Sequence, residues 1–187
     1  MQFFKSVFRH IFPLAVVVTL LCGVIYIIAQ QGYRIPANDP QIQIAQDAAQ
    51  ALGDGAPVET VVPSAKVDIG QSLALFVVVY DDKGAPVAGN GLLHGKLPVL
   101  PAGVFEYTSR NDENRITWQP EPGVRHAIVI ERIRDAKPGF VMVGRSLREV
   151  EQRVDQLGLM VGAGWAGTLV ATFVILVLVE LIFRDKR

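Results

Sequence analysis

The sequence predicts a membrane protein in which two transmembrane helices flank an α+β extracytoplasmic domain with a central antiparallel sheet. Residues 11–29 and 157–179 form apolar runs of 19 and 23 residues without a charged side chain. Each run is long enough to cross a hydrocarbon core of roughly 30 Å at about 1.5 Å per residue. Between them lie short β-branched stretches separated by turn residues, a pattern typical of strands.

We place the transmembrane helices at residues 11–30 and 158–183. The alternative is a pair of helices buried inside a soluble protein. That alternative fits poorly because the rest of the chain is too short to form a core that encloses both runs.

Basic side chains flank the two runs on their outer sides, namely Lys5, Arg9, Arg184, Lys186 and Arg187. By the positive-inside rule, the tails at residues 1–10 and 184–187 are cytoplasmic. Residues 31–156 carry 13 Lys and Arg against 16 Asp and Glu, a net charge of −3 that suits a translocated segment and offers nothing for nucleic acid. We expect a bacterial inner (cytoplasmic) membrane, with the lipid bilayer as a partner and the central domain periplasmic or extracellular.

Two targeting alternatives concern the first apolar run. A cleaved signal peptide would have a shorter apolar region and an A-x-A-like site, which is missing before Gln30. A lipidated cysteine would need a small residue before Cys22, where Leu21 stands. Cys22 is therefore interpreted as membrane packing, and a single cysteine excludes an internal disulfide.

An amphipathic helix is predicted after the first run. Asp39 suits its N-cap, Pro40 its first position and Gly53 its end. Apolar side chains at i, i+3, i+7 and i+10 form one stripe, namely Ile42, Ala45, Ala49 and Leu52. One face of this helix should therefore pack against the rest of the domain.

Strands are predicted at residues 58–62, 75–80, 86–90, 115–119, 124–133 and 139–144. Asp82-Lys83-Gly84 marks the turn between the second and third strands, and residues 135–139 mark the turn between the last two. Residues 91–114 are rich in Gly, Pro and polar side chains and long for a structureless connection. We expect a loop or short helices there, covering one face of the sheet.

A second helix is predicted to leave the sheet and enter the membrane. Ser146 and Glu149 have capping-box spacing, so the helix should begin at about Leu147. Apolar residues continue at heptad spacing, namely Leu147, Val150, Val154, Leu157 and Val161. A connecting helix at residues 147–157 should thus join the second span in one rod of about 37 residues.

The order of elements resembles the extracytoplasmic PAS-like (Cache-type) sensor domains of two-span bacterial receptors such as sensor histidine kinases. The likeness covers roughly residues 34–156. It rests on FVVVYDDKGAPVAGNG (76–91), ITWQPEPGVRHAIVI (116–130) and GFVMVGRSLREVEQR (139–153). It implies a PAS-like domain at residues 31–146 whose sheet forms a ligand cradle or a dimer platform.

The sequence departs from those receptors after the second span. They continue into a kinase, cyclase or methyl-accepting module, whereas this sequence ends at Arg187. We therefore expect any output to pass sideways to a helix partner in the membrane, either a second copy or another membrane protein.

Catalytic and metal-binding patterns are not found. The histidines at positions 10, 94 and 126 have no metal-ligand spacing, and the single cysteine lies in an apolar run. No G-x-S-x-G, Walker A or dinucleotide fingerprint occurs. We expect no metal, no cofactor and no enzymatic activity, and an exported hydrolase is disfavoured.

Five polar and aromatic side chains form a candidate site for a small anionic ligand, namely Tyr107, Arg110, Trp118, Arg125 and His126. An arginine near aromatic rings suits a carboxylate through bidentate hydrogen bonds and cation–π contacts. In the alternative interpretation, Arg125 points outward from a half-exposed strand and Trp118 fills the core.

Small residues recur every four positions in the second span and form two rows, Gly158, Gly162 and Ala166, and Ala163, Gly167 and Ala171. Such spacing allows close approach of helix backbones in a membrane. Together these features predict a non-enzymatic sensor-like or accessory protein, and the alternative is a structural or assembly subunit of a larger membrane complex.

Overall fold

The computed structural model describes the backbone of residues 2–34, 39–134 and 137–184, and the side chains of residues 8–32, 40–134 and 137–182. The chain divides into two compact units. One contains residues 1–33 and 152–187, and the other contains residues 34–151.

The first unit is a pair of long helices. Helix α1 spans Gln2–Arg34, and helix α5 spans Arg148–Arg184. Their segments Phe8–Gly32 and Arg148–Ile182 are long and apolar enough to cross a membrane. The rod of about 37 residues that the heptad spacing predicts is confirmed, because α5 has 37 residues without a break.

The second unit is built on a five-stranded antiparallel sheet in the order β3-β2-β7-β6-β5. A small parallel pair, β1 with β4, lies beside it. The strands are β1 Val67–Asp68, β2 Phe76–Asp81, β3 Pro86–Gly89, β4 Gly91–Leu92, β5 Glu113–Glu121, β6 Val124–Ile133 and β7 Gly139–Ser146. The helices of this unit are α2 Asp39–Gly53, α3 Val58–Val61 and α4 Ala102–Asn111.

Helices cover both faces of the sheet, which explains why its central strands are almost continuously apolar. On one face, α2 packs its buried stripe of Ala45, Ala49 and Leu52 against alternate valines of β2, β6 and β7. On the other face, Phe105 of α4 packs against Tyr80 and Phe140 with ring centroids 5.0 Å away from each. The stripe predicted for α2 and the short helix predicted within residues 91–114 are confirmed.

The turn of the β2–β3 hairpin is held by side-chain hydrogen bonds and by a glycine. Asp81 Oδ1 accepts hydrogen bonds from the N–H groups of Lys83 (3.0 Å) and Ala85 (2.7 Å). Gly84 has φ +80°, and a Cβ at this position would lie 2.5 Å from the ring of Phe105. The hairpin tip therefore lies directly against α4, and only glycine fits there.

The strand predicted at residues 58–62 is wrong, because Val58–Val61 form the short helix α3. Pro57 stands at the N-cap with φ −60° and accepts hydrogen bonds from the N–H and hydroxyl of Thr60. These two bonds close a helical turn, and Pro63 follows at once. The N–H of Val62 likewise donates to the carbonyl of Val58, so N–H groups of this segment are used within the turn and not in a strand ladder.

Other boundaries differ by a few residues. The strand predicted at residues 115–119 is longer, Glu113–Glu121, and the β1–β4 pair was not predicted. The capping role of Asp39 and the start of the turn at Asp135 and Ala136 lie outside the described residues.

Candidate functional site

Trp118 and His126 are brought together by the register of β5 and β6, where they stand directly opposite each other. Their ring centroids are 5.9 Å apart, and the ring of Phe76 meets His126 edge-on at 5.4 Å. Trp118 is partly buried against the core, as in the alternative interpretation. This part of the predicted anion site is a packed aromatic cluster.

His126 is buried and uncharged. Its Nε2 lies 2.9 Å from the carbonyl oxygen of Ile69, which can only accept, so Nε2 carries the proton. Burial lowers the pKa of His126, and the nearby charge of Arg148 lowers it further. Nδ1 is buried without a hydrogen-bond partner. His126 thus holds the chain at Ile69 and offers no positive charge to an anion at neutral pH.

Arg125 points to the opposite face of the sheet from His126, because neighbouring residues of a strand alternate between faces. Its guanidinium pairs with the carboxylate of Glu151 in the first turn of α5. The structure therefore does not bring Arg125 and His126 to one ligand.

Tyr107 and Arg110 lie on the exposed side of α4. Arg132 Nη1 donates to the carbonyl of Ser109 at 2.8 Å, which places the Arg110 end of α4 beside the end of β6. Trp118 lies opposite His126 on β6. His126 is six residues away from Arg132 along this strand, a distance of about 20 Å at ~3.4 Å per residue. The five side chains predicted to bind an anion thus lie in three separate places.

The structure instead gathers charged side chains where β7 passes into α5. We call this set the helix-start cluster; its members are Arg125, Arg145, Arg148, Glu149 and Glu151. Arg125 pairs with Glu151, and Arg145 Nη2 donates to Glu149 Oε2 at 3.0 Å. Both glutamates lie in the first turn of α5, where negative charge suits the helix dipole.

Arg148, the first residue of α5, reaches the connection between β1 and β2. Its guanidinium donates to the carbonyl oxygens of Gly70 (2.8 Å) and Gln71 (3.2 Å). His126 donates a hydrogen bond to the carbonyl of Ile69 in the same connection. Within the connection, Asp68 Oδ1 accepts a hydrogen bond from the N–H of Gly70 at 3.0 Å. The aromatic cluster and the start of α5 therefore share one loop.

The main chain adds to this attachment. The N–H of Leu147 donates to the carbonyl of Arg125 at 2.9 Å, and Ser146 Oγ accepts from the N–H of Arg148 at 3.3 Å. Only Leu147 separates the end of β7 from the start of α5. The first turn of α5 is consequently fixed to the sheet by side-chain and main-chain bonds.

Sequence analysis found the start of α5 but missed the cluster. Ser146 and Glu149 suggest a capping box, and that pattern says nothing about partners on other strands. The sequence does contain the members of the cluster: Arg125 and Arg145 lie near strand ends, and two glutamates lie in the first turn of the following helix. Their pairing depends on the strand order, which a local pattern does not give.

A cleft of about 470 Å³ lies between α3 and the edge strand β3. Its walls include Val62, Val87 and Leu97, and its polar groups include Glu59 and Lys66. Lys66 Nζ donates to the carbonyl of Gly89 at 2.9 Å, so the lysine covers part of the free edge of β3. The sequence did not predict this cleft because residues 58–62 were assigned to a strand.

No protein-family model and no curated protein matches this chain. The resemblance to PAS-like (Cache-type) sensor domains therefore stays a hypothesis drawn from the sequence pattern. Within residues 2–34, 39–134 and 137–184, no group of three or more His, Cys, Asp or Glu side chains could hold a metal ion.

A polar contact between described side chains joins the two long helices. Trp165 Nε1 donates to Thr19 Oγ1 at 2.9 Å, and the Thr19 hydroxyl donates to the carbonyl of Ala15 at 2.7 Å. Both groups are thereby satisfied within the pair, as an apolar surrounding requires. On α1, partly covered side chains recur at spacings of three and four, namely Ile11, Ala15, Val18, Cys22 and Tyr26.

The small residues of α5 are divided between two faces. A Cβ at Gly158 would lie 3.7 Å from the Tyr26 ring, so Gly158 faces α1. At Gly162 and Gly167 a Cβ would meet nothing within 4 Å. Ala163, Ala166 and Ala171 are likewise exposed. Of the six residues predicted to pack between helices, five therefore lie on a surface that α1 does not cover, and we call these five the small-residue face.

Proposed function

We propose that this chain is a non-enzymatic, membrane-anchored protein of the sensor-like or accessory kind. In this proposal α1 and α5 cross a bacterial inner membrane, both termini are cytoplasmic, and the PAS-like domain is periplasmic or extracellular. The domain binds a small ligand or a protein partner, and α5 passes its state to a partner in the membrane.

The observation that carries the proposal is the attachment of α5 to the sheet by the helix-start cluster. Three arginines and two glutamates hold the first turn, and the helix then continues unbroken to Arg184. A helix fixed at one end moves as a unit when the sheet shifts, whereas a flexible linker would dissipate the motion. The loop at Ile69, Gly70 and Gln71 connects the helix to the aromatic cluster of the core.

The cleft between α3 and β3, formed by described residues, is a structural candidate for ligand binding. Its volume of about 470 Å³ falls in the range of small-molecule pockets. Its walls are mainly apolar and also include Lys66 and Glu59. This lining favours an amphipathic molecule as the ligand, whereas the sequence suggested a small anion.

The second candidate function is an assembly subunit of a larger membrane complex. The small-residue face favours an assembly subunit, because its five small residues are not covered by α1. Close helix packing in a membrane uses such residues. In this case α5 would bind its partner permanently and transmit nothing.

Photo-crosslinking in intact membranes distinguishes the two functions. A photoreactive amino acid replaces Val170, an exposed large side chain one turn after Ala166 and Gly167 of the small-residue face, so the small residues themselves stay in place. In a control chain it replaces Ile28, which is exposed on α1. We expect one adduct of defined mass from position 170 and none from position 28. The same experiment is repeated with Arg148→Met, which removes the bonds to Gly70 and Gln71.

A changed adduct yield in the Arg148→Met chain supports transmission through α5. An equal yield with and without Arg148 supports the assembly subunit. No defined adduct from position 170 rejects both, and α5 is then a simple anchor.

A further inference from the structure

Two glutamates stand directly opposite each other at one end of the sheet. Glu113 of β5 and Glu131 of β6 are partners in the antiparallel register. Side chains in such a pair have Cβ atoms roughly 5 Å apart, and two like charges there destabilise the sheet. Glu131 alternates with Val129 and Ile133, both of which pack in the core beneath α2. The two carboxyl groups therefore meet on the face that α2 covers.

Among the described residues, Arg115 is the cation that lowers the pKa of both carboxyl groups. Arg115 of β5 holds Glu113, with Nη2 2.9 Å from Oε2. From α2, the side chain of Gln46 lies near both carboxyl groups and lowers the pKa of each. From β7, the residue paired with Glu131 is the apolar Val141. Glu131 Oε1 is buried and has no hydrogen-bond partner.

We propose that Glu113 and Glu131 form a proton-binding site that controls how firmly α2 is held on the sheet. With one proton bound, Glu131 is neutral and can donate to the Glu113 carboxylate, which Arg115 neutralises. Without the proton, two carboxylates face each other beside a single guanidinium, and Gln46 cannot satisfy both. Repulsion then acts directly under α2.

Glu131 is the group that binds the proton, and it is about half protonated near pH 7. Burial raises the pKa of Glu131 to about 7, and the neighbouring Glu113 contributes in the same direction. The hydrogen bond from Arg115 lowers the pKa of Glu113, so that group stays ionised. Because the folded state raises the pKa of Glu131, the stabilisation is complete below the ordinary Glu value of about 4.3 and is lost as pH rises through about 7.

This proton site needs no membrane partner, so it goes beyond the function proposed above and can be tested apart from it. It makes α2, the helix that follows α1 in the chain, responsive to the pH around the sheet domain. The ligand is the proton, and the responding element is the contact of α2 with the valines of β2, β6 and β7.

The test measures thermal unfolding of the full chain in mild detergent from pH 5 to pH 8.5. Three proteins are compared: the wild type, Glu131→Gln, and the control Glu106→Gln, whose side chain is exposed on α4. The quantity is the Tm of each variant minus the Tm of the wild type, since this difference cancels other titrating groups such as His126. For Glu131→Gln we expect a difference that is small at pH 5, rises steadily towards pH 7 and levels off above about pH 7. For Glu106→Gln we expect a flat difference.

Amide hydrogen exchange of residues 39–53, corrected for intrinsic rates, gives the second readout. We expect faster exchange of α2 at pH 8 than at pH 6 in the wild type and no such change in Glu131→Gln. A flat Tm difference for Glu131→Gln, or α2 exchange that ignores pH in the wild type, overturns the proposal. If Glu131→Gln does not fold, Glu113→Gln replaces it. Loss of the opposing carboxylate must lower the pKa of Glu131, so this variant should lose less Tm between pH 5 and pH 7 than the wild type. A loss as large as that of the wild type also overturns the proposal.

Discussion

Arg125 at the start of β6 and Glu151 in the first turn of α5 form an ion pair, so side chains as well as the main chain attach the sheet to the helix. Arg145 and Glu149 form a second pair on the neighbouring strand. All four side chains are partly exposed, and such pairs contribute about 0–1 kcal/mol each. Arg148 differs because it bonds two main-chain carbonyls of one loop. The loop contact should therefore matter more than either ion pair.

The first prediction compares Arg148→Met with Glu151→Gln. Loss of two charge-assisted bonds at an exposed site should lower the free energy of unfolding by about 1 kcal/mol, and loss of the ion pair by less. In Arg148→Met, hydrogen exchange should rise both in residues 69–72 and in the first turn of α5. In Glu151→Gln it should rise in the helix alone. Arg110→Met, at an exposed position of α4, is the control, and equal effects in all three variants would contradict the ranking.

The bounds of helices and strands are predicted best where a periodic pattern of apolar residues matches the buried face of a single element. The bounds of α2 and β6 agree with the predictions at Asp39–Gly53 and Val124–Ile133. Gly53 ends α2 where a Cβ would meet the carbonyl oxygen of Arg134 at 2.8 Å, and glycine at a helix end is a signal that sequence rules recognise. The helical spacing of α2 likewise predicts the buried stripe that packs on the sheet.

Prediction fails where a contact depends on which strands are neighbours. The predicted anion site combined Arg125 with the rings of Trp118 and His126, but Arg125 and His126 are neighbours in one strand and therefore face opposite sides of the sheet. Glu113 and Glu131 are 18 positions apart in the chain and meet only through the register of β5 and β6. The helix α3 was missed because Val58, Val61 and Val62 have high strand propensity, which the flanking prolines override.

The second prediction concerns the hairpin tip and uses a matched pair of glycines. Gly84 and Gly123 have φ values of +80° and +81°, but only Gly84 lies against another side chain, the ring of Phe105. Gly123→Ala should cost about 1–2 kcal/mol, the backbone cost alone. Gly84→Ala should cost about 1–3 kcal/mol more, because its methyl group overpacks the core. Urea unfolding of the full chain measures both, and equal losses would show that Phe105 moves aside freely.

The third prediction concerns the titration of His126. Its folded pKa lies below the ordinary value, so the unfolded chain takes up the proton first and stability is lost as pH falls below about 6.5. His126→Phe keeps an aromatic ring between Phe76 and Trp118 but cannot titrate. The Tm of the wild type minus that of His126→Phe should therefore decrease from pH 7 to pH 5. A difference that stays constant over this interval would mean that His126 does not gain a proton on unfolding.

The fourth prediction concerns topology. Reporter fusions at Gly84 and after Arg187 should report opposite sides of the membrane, because basic tails flank both apolar helices. Activity of a reporter that works only outside the cytoplasm is expected at Gly84 alone. The same side for both fusions would contradict two crossings and the transmission through α5 that depends on them.

The last prediction concerns the small-residue face of α5. Gly162 and Gly167 face open space, whereas Gly158 faces Tyr26 of α1. A leucine at Gly162 or Gly167 should therefore leave the helix pair intact but keep a partner helix from approaching closely. The mass of the detergent-solubilised assembly should fall in both variants, while the Tm of the sheet domain stays within a degree or so of the wild type.

Gly158→Leu is the matched control for these variants. Its side chain would press on Tyr26, so it should disturb the contact of α1 with α5, lower the thermal stability of the helix pair and leave the outer face free. If the assembly keeps its mass in Gly162→Leu and Gly167→Leu, the small-residue face has no packing role. In that case the Thr19–Trp165 hydrogen bond and the Gly158–Tyr26 contact, both within one chain, would account for the packing of α5.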